Sequence, residues 1–109
     1  MITIDDVADP TVRTVLTAIN AGDRAAFLAA FAPGATMSDD GSDRDLEQWI
    51  DREIFTVNGH IEVESQSDGG RAFIARYRND TWGEMRTTWR FTIADDQVQH
   101  MATGQAPSS

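Results

Sequence analysis

The side chains of this sequence best suited to chemistry are one carboxylate and two imidazoles. Asp39 ends a short extended run, Ala35 to Asp39, just before the turn dipeptide Asp40-Gly41. A strand there aims it at any hollow behind the sheet, and a carboxylate set against apolar walls makes a competent general base. His100 and His60 are the only side chains whose ordinary titration lies near neutrality, so each is a candidate proton shuttle. His60 follows Asn58-Gly59, where a solvated loop imidazole is expected; His100 shares strand parity with Val98 and Ala102.

A second set suits a ligand rather than a proton. Phe27, Phe31, Met37, Trp49, Phe55, Tyr77, Trp89, Phe91 and Met101 would give an apolar, aromatic lining for a flat hydrophobic molecule, or, read more plainly, a filled core. Trp82 stands in Asn79-Asp80-Thr81-Trp82-Gly83, a turn-rich hairpin tip, where an indole is expected to cap a pocket mouth or meet a second copy. Arg76, Arg78, Arg86 and Arg90 are set against Glu62, Glu64 and Glu84 as cross-strand pairs on an outer sheet face.

Composition removes several chemistries. The 109 residues include no cysteine, hence no disulfide, thiolate nucleophile or Cys-ligated metal. All nine basic residues are arginine, which excludes Schiff-base and P-loop lysines and points to a GC-rich bacterial source. There is no H-E-x-x-H or calcium-loop pattern, and Asp39, Asp40, Asp43 and Asp45 lack metal-loop spacing, so no cofactor or metal is expected. A net charge of −9 opposes a phosphate backbone and argues against nucleic acid. No apolar run approaches the roughly 18 residues of a membrane span, and Met1 to Asp6 lacks a signal-like start. A cytoplasmic protein without membrane contact is the expectation.

The elements that must position these groups follow from caps and periodicity. Asp9-Pro10 opens a helix along which Val12, Val15, Leu16 and Ile19 form one stripe, and Asp23 caps a second helix running to Pro33-Gly34. Ser42 with Asp45 resembles a capping box for a third helix, carrying Leu46, Trp49, Ile50 and Ile54 up to Asn58-Gly59. The period then changes to two: Ile61 to Gln66, Phe73 to Arg78, Glu84 to Ile93 and Val98 to Thr103 read as strands separated by Asp68-Gly69-Gly70 and Asp95-Asp96 turns. Residues 1–109 therefore form one α+β domain, with three helices in its first half packed on a strongly bent mixed, mainly antiparallel sheet, and residues 105–109 fray as a tail. A sheet bent around a helix leaves a hollow.

The run Leu16-Thr17-Ala18-Ile19-Asn20-Ala21-Gly22-Asp23, then Phe31-Ala32-Pro33-Gly34-Ala35-Thr36-Met37 and an acidic turn, resembles the helix-pair-to-first-strand segment of the nuclear transport factor 2-like superfamily, over Val15 to Gly41. That superfamily includes ketosteroid isomerases and SnoaL-type polyketide cyclases. The resemblance implies a cone-shaped, barrel-like fold, places Asp39 where the isomerase base sits and turns Met101 toward the pocket. It also implies pairing of two copies through the outer sheet face. Against the isomerase pattern, Val15 stands at the oxyanion-hole tyrosine and Trp89 at the protonated aspartic acid, two donors each worth on the order of 3 kcal/mol to such a reaction. The expectation is a small-molecule pocket acting by proton transfer on a hydrophobic metabolite, with Asp39 as base but without ketosteroid isomerase activity. The alternative is a non-catalytic ligand-binding or dimeric interaction domain.

Overall fold

Asp9 accepts hydrogen bonds from the backbone N–H groups of Thr11 and Val12, at 2.9 and 3.1 Å, and so caps helix α1 (Pro10–Ala21). In the computed structural model, which describes residues 1–106, α1 ends at Gly22 in the left-handed region (φ 67°), a conformation that glycine adopts without Cβ strain. Val12, Val15, Leu16 and Ile19 are buried along one face of α1, as their spacing dictates. Asp23 accepts from the Ala26 N–H and caps α2 (Arg24–Ala29).

Helix α2 stops at Ala29, well short of Pro33-Gly34, because Phe31 turns into the core as a strand residue and stacks on Phe27 with ring centroids 4.7 Å apart. Strand β1 (Phe31–Asp39) therefore contains Pro33-Gly34, and its pairing shifts register between Phe31 and Thr36, where an irregularity accommodates a proline that has no N–H to donate. Asp40 and Gly41, both at positive φ, turn β1 back into β2 (Ser42–Arg44). Ser42 is thus a strand residue and not a helix cap. Asp45 caps α3 (Leu46–Ile50), accepting from the Gln48 N–H at 3.0 Å. A π-helical turn over Asp51–Phe55 continues α3, and Arg24 ties it to α2 through Asp51 at 2.6 Å.

Strands β3 (His60–Ser67), β4 (Ala72–Asn79), β5 (Gly83–Ala94) and β6 (Gln97–Gln105) complete a six-stranded sheet of order β2-β1-β6-β5-β4-β3. Only β1 and β6 run parallel, so the α+β reading and the mixed, mainly antiparallel sheet are both observed. Leu16, Ile19, Phe27, Trp49, Ile50 and Phe91 are buried between helices and sheet. The fraying expected from Gln105 does not begin there: the Gln105 N–H donates to Asp40 and the Ala106 N–H to the Arg86 carbonyl. Pro107 to Ser109 of that tail lie outside the described residues.

Strand pairing sets which side chains meet. On the sheet face toward the helices, Asp39 lies beside Thr103, Thr103 beside Trp89, and Trp89 beside Phe73, in one row across four strands. A register shift between β5 and β6 at Thr92/Ile93 changes the parity of β6, so that Val98 and Met101 are both fully buried. His100 is carried to the opposite face.

Candidate functional site

Above that row opens a cavity of about 330 Å³, at the small end of the roughly 300–1,000 Å³ typical of ligand sites. Asp39 comes to its wall from the end of β1, Trp49 from α3, Tyr77 from β4 and Trp89 from β5. Trp82, in the β4–β5 hairpin, completes the rim and is 62% exposed. A second hollow, of about 450 Å³, lies on the outer sheet face among Ser65, Ile74, Thr88 and Ala102. It contains neither Asp39 nor Trp49, so the carboxylate and the indole that binds it belong to the 330 Å³ cavity alone.

The half-buried Asp39 accepts a hydrogen bond at Oδ2 from the Trp49 indole N–H, 3.0 Å away. Its Oδ1 accepts none from the described residues and is open to solvent. Trp89, 2% exposed, donates its N–H to Thr87 Oγ1 at 2.7 Å, and Thr87 in turn points to the Ala75 carbonyl. Trp89 meets Trp49 at 74° and Tyr77 at 62°, with centroids 6.3 and 5.8 Å apart. Its bulk fills the depth of the cone and leaves only the mouth open.

The π turn has a direct effect on this wall. Widening the helix from i+4 to i+5 bonding gives the Thr56 N–H to Asp51 and the Gly59 N–H to Ile54, and the Glu53 carbonyl is taken by side chains instead. Tyr77 Oη donates to it at 2.5 Å and Asn79 Nδ2 at 2.9 Å. Burial pushes the Tyr77 phenol above its ordinary range, partly offset by its Asn79 partner, so the ring stays neutral. Asn79 Oδ1 also accepts from the N–H groups of Thr81 and Trp82, which shapes the hairpin tip, and the Trp82 indole N–H donates to Glu53 Oε2 at 2.9 Å. Trp82 is thereby held over the cavity mouth.

The expected residues divide accordingly. Asp39, Trp49, Tyr77 and Trp89 come together at the cavity. Phe27, Phe31 and Phe55 instead pack on one another, with Phe27 edge-on to Phe55 at 5.5 Å, and Met37, Phe91 and Met101 fill the core below the Asp39 row. None of these six lines the cavity, because helices α1 and α2 occupy the space they face. His100 is likewise removed from it: on the outer face its Nδ1 is 2.7 Å from Thr36 Oγ1 and its Nε2 3.4 Å from Ser38 Oγ. His60 opens β3, 3.8 Å from Glu62. The outer arginines are paired as expected in part: Glu64 receives both Arg76 and Arg86, whose bonds hold its carboxyl below the ordinary range.

Several lining residues carried no signal in the sequence. Arg44, Arg52, Glu53, Met85, Thr87 and Thr103 reach the cavity through strand register and the π turn, and only the spacing of Glu53, four residues after Trp49, hinted at a shared helix face. Arg52 pairs with Glu53 at 3.1 Å, whereas Arg44 makes no ion pair among the described residues. No three His, Asp or Glu groups converge as a metal site among those residues.

No protein-family profile matches this sequence, and no curated protein matches it either. Solved structures do. A protein of Sinorhizobium meliloti proposed to be a polyketide cyclase superposes with a TM-score of 0.75 at 20% identity, over 94% of this chain and 99% of the other. The Δ5-3-ketosteroid isomerase of a Mycobacterium species gives 0.71 at 15% identity, over 88% and 90%. The chain has the nuclear transport factor 2-like fold. A further structure of this fold, a hypothetical protein of Catenulispora acidiphila complexed with trimethylamine, gives 0.70 at 15% identity, over 86% and 83%. In this nuclear transport factor 2-like chain, the two positions that depart from the isomerase pattern are both closed to a ligand's oxygen. Val15 is fully buried, and the Trp89 N–H is already spent on Thr87.

Proposed function

We propose that the cavity takes a small, largely apolar organic molecule and that Asp39 moves a proton on it. Oδ1 would accept the proton as a C–H bond breaks, the electron pair passing into an adjacent π-system, and would return it to a second position of the same molecule. The observation that carries this reading is a carboxylate with one oxygen anchored by Trp49 and the other uncommitted, on a cavity wall that it shares with Trp49, Tyr77, Trp82 and Trp89. The fold neighbours support a pocket of this kind, and the one complexed with trimethylamine supports a small organic occupant. Arg44, unpaired among the described residues, is the group at the wall available to oppose developing negative charge.

The test is deuterium exchange from D2O into a panel of small enolisable ketones, followed by NMR. Asp39→Asn should lower an exchange rate seen with the parent by roughly 100-fold or more while leaving the circular dichroism unchanged. A variant that exchanges as fast as the parent would overturn the proposal. A second reading, binding without catalysis, is favoured by the commitment of the Trp89 N–H and the Tyr77 hydroxyl to protein acceptors, since neither can then polarise a substrate carbonyl.

Two copies are proposed to pair through the outer sheet face, supported by its exposed ion pairs and its 450 Å³ hollow. Sedimentation at micromolar concentration should show a species of two chains; one chain alone overturns the pairing.

A further inference from the structure

The hydrogen-bond donors at the wall of the 330 Å³ cavity are nearly all spent inside the protein. The three indole N–H groups go to protein acceptors: Trp49 to Asp39, Trp82 to Glu53 and Trp89 to Thr87. So do the hydroxyls, Tyr77 to the Glu53 carbonyl, Thr87 to that of Ala75 and Thr103 to that of Thr88. Arg52 meets Glu53 at 3.1 Å. Of the lining side chains that can donate, the exposed Gln105 amide and the Arg44 guanidinium are left without a partner among the described residues. Only the second is charged. A carboxylate there meets a rigid fork of N–H donors, whereas an uncharged carbonyl gains much less.

Strand pairing puts that cation on the same side of the sheet as the base. Strand β2 returns antiparallel to β1 with Arg44 beside Met37 and Ser42 beside Asp39. Met37 is buried toward the helices, and Asp39, two residues on, shares its face; Arg44 is thus a diagonal neighbour of Asp39 at the cavity. Such neighbours have Cβ atoms about 7 Å apart. A short molecule spans that gap, its anionic end on the guanidinium and a nearby carbon against Asp39 Oδ1. The other two lining carboxylates are already met by donors, Asp40 by the Gln105 N–H and Glu53 by Arg52 and Trp82. The charge of −9 on the whole chain slows the approach of an anion, but at 0.15 M ionic strength it is screened beyond about 8 Å, so the local groups decide occupancy.

We infer that the occupant of this cavity is a short-chain 2-oxo acid, with its carboxylate on Arg44 and its C3–H against Asp39 Oδ1. The inference rests on the proton-transfer reading above and names its substrate class. The oxo group must adjoin the carboxylate because one guanidinium has to serve both. As Oδ1 takes the proton from C3, the C–H electron pair becomes the C2–C3 double bond of an enolate and the carbonyl π pair moves onto the C2 oxygen, beside the carboxylate and the same cation. Return of a proton to C3 restores the acid.

The experiment titrates the whole chain by calorimetry with 2-oxobutanoate and with 2,3-pentanedione, which has the same shape with a methyl group in place of the anionic oxygen. Exchange of deuterium from D2O at C3 of the acid and at the corresponding methylene of the diketone is followed by NMR at the same ionic strength. The acid should bind at least about tenfold more tightly than the diketone. Arg44→Gln, at an exposed position, should reduce that preference to within about threefold with circular dichroism unchanged, and Arg44→Lys should recover part of it. Equal binding of the two ligands by the parent, or a preference that survives Arg44→Gln, overturns the acid as occupant and leaves the pocket intact. Tighter, Arg44-dependent binding of the acid without exchange keeps the acid on Arg44 and overturns proton transfer by Asp39. Binding of neither overturns both.

Discussion

The indole N–H of Trp49 donates to Asp39 Oδ2 across 3.0 Å, joining α3 to the last residue of β1. The bond fixes the rotamer of Asp39 on the wall it shares with the aromatic rings, and so decides which of its oxygens remains available. Trp49→Phe keeps a large ring against Trp89 but removes this donor. A hydrogen bond to a charged group contributes about 1.5–3 kcal/mol, and since Asp39 is only half-buried the lower part of that range is expected, about 1.5 kcal/mol by urea denaturation. Any Asp39-dependent exchange should fall by about tenfold through lost orientation while Asp39 itself remains. Unchanged stability and unchanged exchange would show that the bond positions nothing.

Two glycines are required by the side chains opposite them. A Cβ on Gly104 would come within 2.5 Å of Asp40 Oδ1, and a Cβ on Gly59 would collide with the Tyr77 hydroxyl and lie 3.1 Å from the Ile54 backbone. Asp40 is exposed and can swing away, losing only its bond to the Gln105 N–H, so Gly104→Ala is expected to cost about 1 kcal/mol. Tyr77 is held by the Glu53 carbonyl and cannot yield, so Gly59→Ala should cost nearer 3 kcal/mol. The shift in urea midpoint ranks them; the reverse order would mean that Tyr77 is not fixed.

What was legible in the sequence was what local chemistry decides. The Asp9-Pro10 start, the Gly22 stop and the Val12 to Ile19 stripe are properties of neighbouring residues, and each appears where those residues put it. The inward aim of Asp39 follows from alternation along one strand. Register was not legible: β2 is three exposed residues with no apolar period, and the β5–β6 shift that sends His100 outward leaves no mark in composition. The π turn is hidden for a related reason. Trp49, Ile50 and Ile54 keep a helical period through it, so only the hydrogen bonds reveal that the Glu53 carbonyl has been released to Tyr77 and Asn79. Thus the place of Asp39 is legible from its own strand, whereas the polar rim assembled by several elements is not.

Tyr77 gives a prediction with a sign fixed by linkage. Burial raises its folded titration point above the ordinary value of about 10, so between that value and the folded one the native state holds a proton that the unfolded chain has lost. Below about pH 10 both states are protonated, and Tyr77 adds no pH dependence. As pH rises through the window above 10, ionisation favours the unfolded chain, and the stability contributed by the neutral, buried ring is progressively lost. Because the chain has a single tyrosine, the phenolate band in the ultraviolet reports on this residue alone. It should stay absent in the native protein through pH 10 and emerge together with alkaline unfolding. Tyr77→Phe should remove this part of the alkaline loss and, since Asn79 Nδ2 still bonds the Glu53 carbonyl, cost only about 1 kcal/mol at neutral pH. A phenolate that forms near pH 10 with the fold intact would mean that the hydroxyl is open to solvent and that the Glu53 carbonyl does not hold it.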